Sequence, residues 1–179
     1  MTLVLRLIRQ SRWDSPGEYD WLAEGEIPAD ALADFANTTQ NCLSVWFVDD
    51  DQGNLDDVVA ALAAAREKAD KLDYMLFTPD HLKAAGIETR ETDGRTPDEQ
   101  INGRHRGLIH LSAAKVLELT TAVWRQNLGP RRVEERMVVQ LVAGAVRNGR
   151  ILLEKLRPKL RDDVRSCLDA NRDEPRKPK

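Results

Sequence analysis

The stretch NCLSVWFVDDDQGNLDDVVAALAAA, residues 41–65, decides the fold. In its first eight residues, Leu43, Val45 and Phe47 fall on one side of an extended chain, and Trp46 and Val48 on the other. A strand that is apolar on both faces is usually central and covered. The acids and glycine that follow make a polar turn. Asn54 can then cap a helix from Leu55 to about Ala69, with Asp56 and Asp57 near its positive end. Alanines dominate that helix, so it can pack closely on a sheet.

Residues 3–8 (LVLRLI) read as a second strand. Ser15-Pro16-Gly17 is a turn signal, and the segment holding Trp13, Tyr19 and Trp21 is irregular. Pro28 suits a first helical position, with a short helix over 29–36. Residues 73–78 (DYMLFT) give a third strand. Pro79-Asp80 opens a helical turn ending at Gly86, and 87–91 suits an edge strand. Beyond Asp93-Gly94, Thr96-Pro97-Asp98-Glu99 starts a helix. Leu108, Leu111, Ala114, Val116, Leu117 and Val123 recur at helical spacing. Gly129-Pro130 ends that helix and starts the next, whose stripe is Val133, Met137, Leu141 and Ala145. Gly149 and Pro158 interrupt before a last segment to about Leu168. The expected class is α+β: a small sheet of about four strands with packed helices over 1–95, then a helical segment over 96–170 packed on it as one domain. Residues 171–179 (NRDEPRKPK) form a flexible tail.

The chain has 179 residues, 41% hydrophobic and 32% charged, which is enough for a core without disulfide or metal staples. That composition excludes collagen, long disorder and a disulfide scaffold. Cys42 and Cys167 are two separate thiols, as in an intracellular protein. MTLVLRLIRQ carries Arg6 and Arg9 and is too short for a secretory leader. No apolar run approaches membrane-spanning length. The expected location is the cytoplasm, with no membrane partner.

Charge is uneven. Between Trp13 and Ala65 there is no Lys or Arg, against twelve acids. From Arg131 to Lys179 the balance is +6, and over the first 130 residues it is −9. Such a split suits a basic protein on the acidic half, a protein partner on the basic end, or the basic tail paired with the acidic part of the same chain or of a second copy. Nucleic-acid binding by the basic end is poorly supported, because signs alternate there and no aromatic side chain interleaves to stack on bases. Trp13, Tyr19 and Trp21 either anchor a partner or cover the sheet.

Two clusters carry candidate chemistry. Asp49-Asp50-Asp51 follows the strongest strand, where α/β folds place ligands, and Asp49 and Asp51 are candidate ligands for Mg²⁺. The segment FVDDDQGNL resembles the D-x-D motif of haloacid-dehalogenase-type phosphatases, with Gly53 where that motif has Thr or Val. The resemblance implies Mg²⁺-dependent phosphoryl transfer. The second cluster is RHRGLIH, residues 104–110. Histidine titrates near neutrality and arginine can fork a phosphate. Arg104, polar His105, four residues and His110 are similar to the signature of HEPN-type ribonucleases. That resemblance implies an all-helical fold and metal-independent RNA cleavage at a dimer interface, through Arg104, His105 and His110. Phosphate-loop, dinucleotide and serine-hydrolase motifs are not found in the chain, and no cofactor is expected. The expectation is a non-catalytic interaction or accessory module, with the ribonuclease and the Mg²⁺ enzyme as alternatives.

Overall fold

The computed structural model describes residues 2–13, 21–23, 26–126 and 128–170. Tyr19 and the 171–179 tail lie outside the described residues. Six strands and seven helices occur among those described. The strands are β1 (Thr2–Leu7), β2 (Leu43–Asp49), β3 (Leu72–Phe77), β4 (Glu88–Glu91), β5 (His105–Ile109) and β6 (Arg131–Val133). The helices are α1 (Ala29–Ala36), α2 (Leu55–Ala64), α3 (Pro79–Ala84), α4 (Glu99–Asn102), α5 (Ala113–Arg125), α6 (Glu135–Arg147) and α7 (Pro158–Ala170). No described helix is long and apolar enough to cross a membrane.

The class is mixed α and β, as expected, but the sheet has six strands rather than about four. Its order is β4-β5-β2-β1-β3-β6. β1 pairs antiparallel with β2 and β3, β2 with β5, and β5 with β4. The two additional strands, β5 and β6, lie in the stretch expected to be helical. β5 is only five residues long, and its polar members Arg106 and His105 hide the alternation that marks a strand. β6 has three residues, all half-buried, and offers no apolar pattern at all. α2 also stops at Ala64, short of the expected end near Ala69, and Asn54 stands at its N-cap without a side-chain capping bond.

Gly107 is required where it stands. A Cβ there would lie 2.7 Å from Cys42 Sγ, so β5 can pair with β2 at this point only through a residue without a side chain.

The contacts divide the chain into two compact units, each built from three segments. Unit 1 comprises 1–53, 73–93 and 104–132, and unit 2 comprises 54–72, 94–103 and 133–179. Residues 54–72 of the expected sheet region thus fall in unit 2, and 104–132 of the expected helical region fall in unit 1.

In unit 1 the core lies on one face of the sheet. Val4 sits opposite Phe47 and Phe77, and Leu43 opposite Leu108. Against them pack Phe35 of α1, Leu82 of α3, Leu119 and Val123 of α5, and Trp13. Phe35 is fully buried, and burial of a side chain of that size contributes about 2–3 kcal/mol. α1 is tied to the chain after β1 through Asp34. One carboxylate oxygen accepts from the Arg9 amide at 3.0 Å and Trp13 Nε1 at 2.9 Å. The other accepts from Arg12 Nη1 at 2.8 Å. The Asp34 backbone carbonyl accepts from Arg6 Nε and Nη2, and Arg6 Nη1 donates to the Ser44 carbonyl. Burial lowers the Arg6 pKa from its ordinary value, and Asp34 opposes that shift.

In unit 2, α2 packs on α6 and α6 on α7. Every residue of α2 from Val58 to Ala64 is buried, and the four alanines among them allow close approach. Val138 and Val142 of α6 and Leu160 and Val164 of α7 are buried as well. Asp98, fully buried, caps α4 by accepting from the Gln100 amide at 3.1 Å. Its second oxygen faces Arg150 Nε at 3.5 Å, and Arg150 Nη1 pairs with Asp57 in the first turn of α2.

Candidate functional site

The two clusters singled out in the sequence meet at one point and diverge elsewhere. Antiparallel pairing of β2 with β5 brings the start of β5 beside the end of β2, where the Phe47 amide donates to the Arg104 carbonyl at 2.9 Å. Arg104 Nη1 therefore reaches Asp49 Oδ1 at 2.7 Å. The first proposed metal ligand is thus paired with the first proposed catalytic arginine. Asp51 turns elsewhere: its Oδ1 accepts from the Gly53 amide at 2.9 Å and closes the turn. Gln52, at φ 59°, completes that turn and accepts from Arg131 Nη1 at 2.7 Å. Among the described residues, no group of three His, Cys, Asp or Glu side chains is placed to hold a metal ion.

The 104–110 cluster is drawn out along a strand. Successive strand residues advance about 3.4 Å, so Arg104 and His110 lie roughly 20 Å apart along the chain. The all-helical fold implied by the ribonuclease resemblance is not formed. His105 is half-buried, with Nδ1 2.7 Å from Thr92 Oγ1 and its ring edge on Trp46. Burial pushes its pKa below the ordinary histidine value. The hydrogen bond to Thr92 opposes that shift, and the Arg106 charge adds to it. Arg106 lies over the Phe47 ring at 5.1 Å and pairs with Glu91 at 3.1 Å. His110 stands beyond the other end of β5 at φ 54°, exposed, 3.7 Å from Glu88. General acid–base chemistry requires groups within about 3 Å of a common reacting atom, and these positions do not converge on one.

The tryptophans differ in exposure. Trp13 is buried in the unit 1 core, where its ring packs 5.8 Å from Phe35 and 5.6 Å from Trp124. Trp21 is 67% exposed. It lines a depression of about 420 Å³ together with Leu22, Glu26, Ile27, Leu117 and Thr121. Leu117, which helical spacing placed with the apolar residues, is 48% exposed. Glu26 of this lining is an exposed acid, as are Asp30 and Glu118, the chain neighbours of Ala29 and Leu117. Sequence reasoning missed that Trp21 and Leu117 line one depression. One signal could have found it: on α5, Leu117 stands off the stripe that runs through Val116, Leu119 and Val123.

Comparison with protein-family models, with curated proteins and with solved structures finds no match for this chain.

Proposed function

We propose that the chain is a non-catalytic protein-interaction module whose acidic N-terminal part receives a basic partner segment anchored by apolar side chains. The observation that carries this reading is the depression where Trp21 and Leu117, two of the most exposed large apolar side chains, stand together with Glu26. Exposed aromatic and aliphatic anchors in a concave site are the usual source of binding energy at interfaces. The absence of Lys and Arg between Trp13 and Ala65 supports a basic partner and a salt-sensitive association. The separation of Arg104 from His110, and the pairing of Asp49 with Arg104, favour this reading over both enzyme alternatives.

The test is fluorescence anisotropy with two labelled peptides. One is rich in Lys and Arg with Leu and Phe anchors, and the other has Glu in place of every basic residue. The basic peptide is expected to bind, to weaken as salt rises, and to lose about tenfold in affinity with Trp21→Ala or Leu117→Ala. Equal binding of the two peptides, or indifference to both substitutions, would overturn the reading. Light scattering on the protein alone decides whether the partner is a second copy: a dimer that Trp21→Ala dissociates would show that it is.

A further inference from the structure

Next to that depression, unit 1 holds a cavity of about 390 Å³, within the size range of small-molecule sites. Trp13, Trp124, Met75 and Val123 contribute its apolar wall, and Glu26 and Gln126 its polar groups. The two indoles lie 5.6 Å apart and form one aromatic surface. Trp13 cannot turn away, because Nε1 is held by Asp34. Gln126 is oriented by its own hydrogen bond: Nε2 donates to the Leu76 carbonyl at 2.7 Å, which can only accept. Its Oε1 is buried and has no hydrogen-bond partner among the described residues. Glu26 adds a carboxylate, with one oxygen already accepting from the Ala23 amide at 2.9 Å. Among the described lining residues there is no Lys, Arg or His.

A carboxylate and two indoles select the same chemistry. Indole faces attract cations, and a carboxylate favours positive charge. We propose that this cavity binds an organic ammonium with a short apolar or aromatic body, the ammonium donating to Glu26 and the body lying on the indoles. The source is a free amine or the lysine side chain of another protein. The inference stands on the cavity itself and not on the docking of a peptide at Trp21.

Isothermal titration with phenethylammonium, phenethyl alcohol and hydrocinnamate tests it. The ammonium is expected to bind about tenfold more tightly than the alcohol, and hydrocinnamate not to bind. Glu26→Gln, an exposed position whose substitute can still accept from Ala23, is expected to bring the ammonium down to the level of the alcohol. Equal binding of ammonium and alcohol, no saturable binding of any probe, or a Glu26→Gln variant with unchanged affinity would overturn the proposal. N-acetyl-lysine methylamide separates the sources. Tighter binding of phenethylammonium assigns a free amine, tighter binding of the lysine amide assigns a protein side chain, and either upholds the ammonium site. Trp21→Ala separates this proposal from the docking reading: it is expected to weaken peptide binding about tenfold and to leave phenethylammonium binding intact, since Trp21 does not line this cavity.

Discussion

Asp34 in unit 1 and Asp98 in unit 2 are both buried carboxylates at junctions between segments, and they are satisfied in opposite ways. Asp34 accepts three hydrogen bonds, from the Arg9 amide, the Trp13 indole and the Arg12 guanidinium. Asp98 accepts one, from the Gln100 amide, and otherwise relies on the charge of Arg150 at 3.5 Å. Arg150 itself is shared with Asp57. Asp34 is thus held by directed hydrogen bonds spread over several donors, and Asp98 by one cation that it shares with a second acid. A buried charge that depends on one partner fails when that partner is removed, whereas one with several donors loses its bonds piecemeal.

The largest expected effect follows from that contrast. Arg150→Met leaves Asp98 buried without a counter-charge and should destabilise unit 2 by about 3–5 kcal/mol. Urea unfolding gives the magnitude, and hydrogen exchange at the α2 and α6 amides shows where it falls. Adding Asp98→Asn to that variant should recover much of the loss, because the neutral amide needs no cation while still capping α4. If Arg150→Met costs less than 1 kcal/mol on this order-of-magnitude scale, the pair does not hold unit 2 and the contrast fails.

Asp34→Asn sharpens the same comparison from the other side. The substitution keeps the size of the side chain but turns one acceptor into a donor that faces existing donors. Hydrogen bonds to charged groups contribute about 1.5–3 kcal/mol, so a loss within that range is expected, smaller than for Arg150→Met. The loss should be accompanied by a change in tryptophan fluorescence as Trp13 loses its anchor. A loss larger than that of Arg150→Met would reverse the ranking of the two units.

The mixed class and the central place of β2 were legible in residues 41–65, because a two-faced apolar run followed by an acidic turn and an alanine-rich helix leaves little choice. What was not legible shares a physical cause: the deciding interactions are long-range. β5 reads as RHRGLI, and only pairing with β2 and the close approach of Gly107 to Cys42 make it a strand. The assembly of each unit from three segments leaves no local trace. For the candidate chemistry, sequence put Arg104, His105 and His110 close in number, but an extended backbone separates them. It put Asp49 far from Arg104, and strand pairing joins them. The exposed Trp21 was within reach of composition; its neighbour Leu117 required knowing which side of α5 faces the core.

The smallest effect concerns acid, and it separates the units by composition alone. His81, His105 and His110 all lie in unit 1. Between about pH 7.5 and 5.5, histidine is the side chain whose ordinary value, about 6.5, lies in range, so unit 2 has no group of that kind to respond. His105 is the one with a defined direction, because burial against Trp46 holds its folded pKa below the ordinary value. Above about pH 6.5 both folded and unfolded chains carry it neutral, and its contribution is fully present. As pH falls, the unfolded chain binds the proton more readily than the folded one, and the contribution is lost through the lowered folded value. Melting curves at successive pH values should therefore fall more steeply for the parent than for His105→Gln, which cannot titrate. Hydrogen exchange should place the acid-dependent loosening at β4 and β5 and leave α6 unchanged. Parallel curves for parent and variant would remove His105 as the origin, and loosening confined to α6 would place the acid response in the unit that has no histidine.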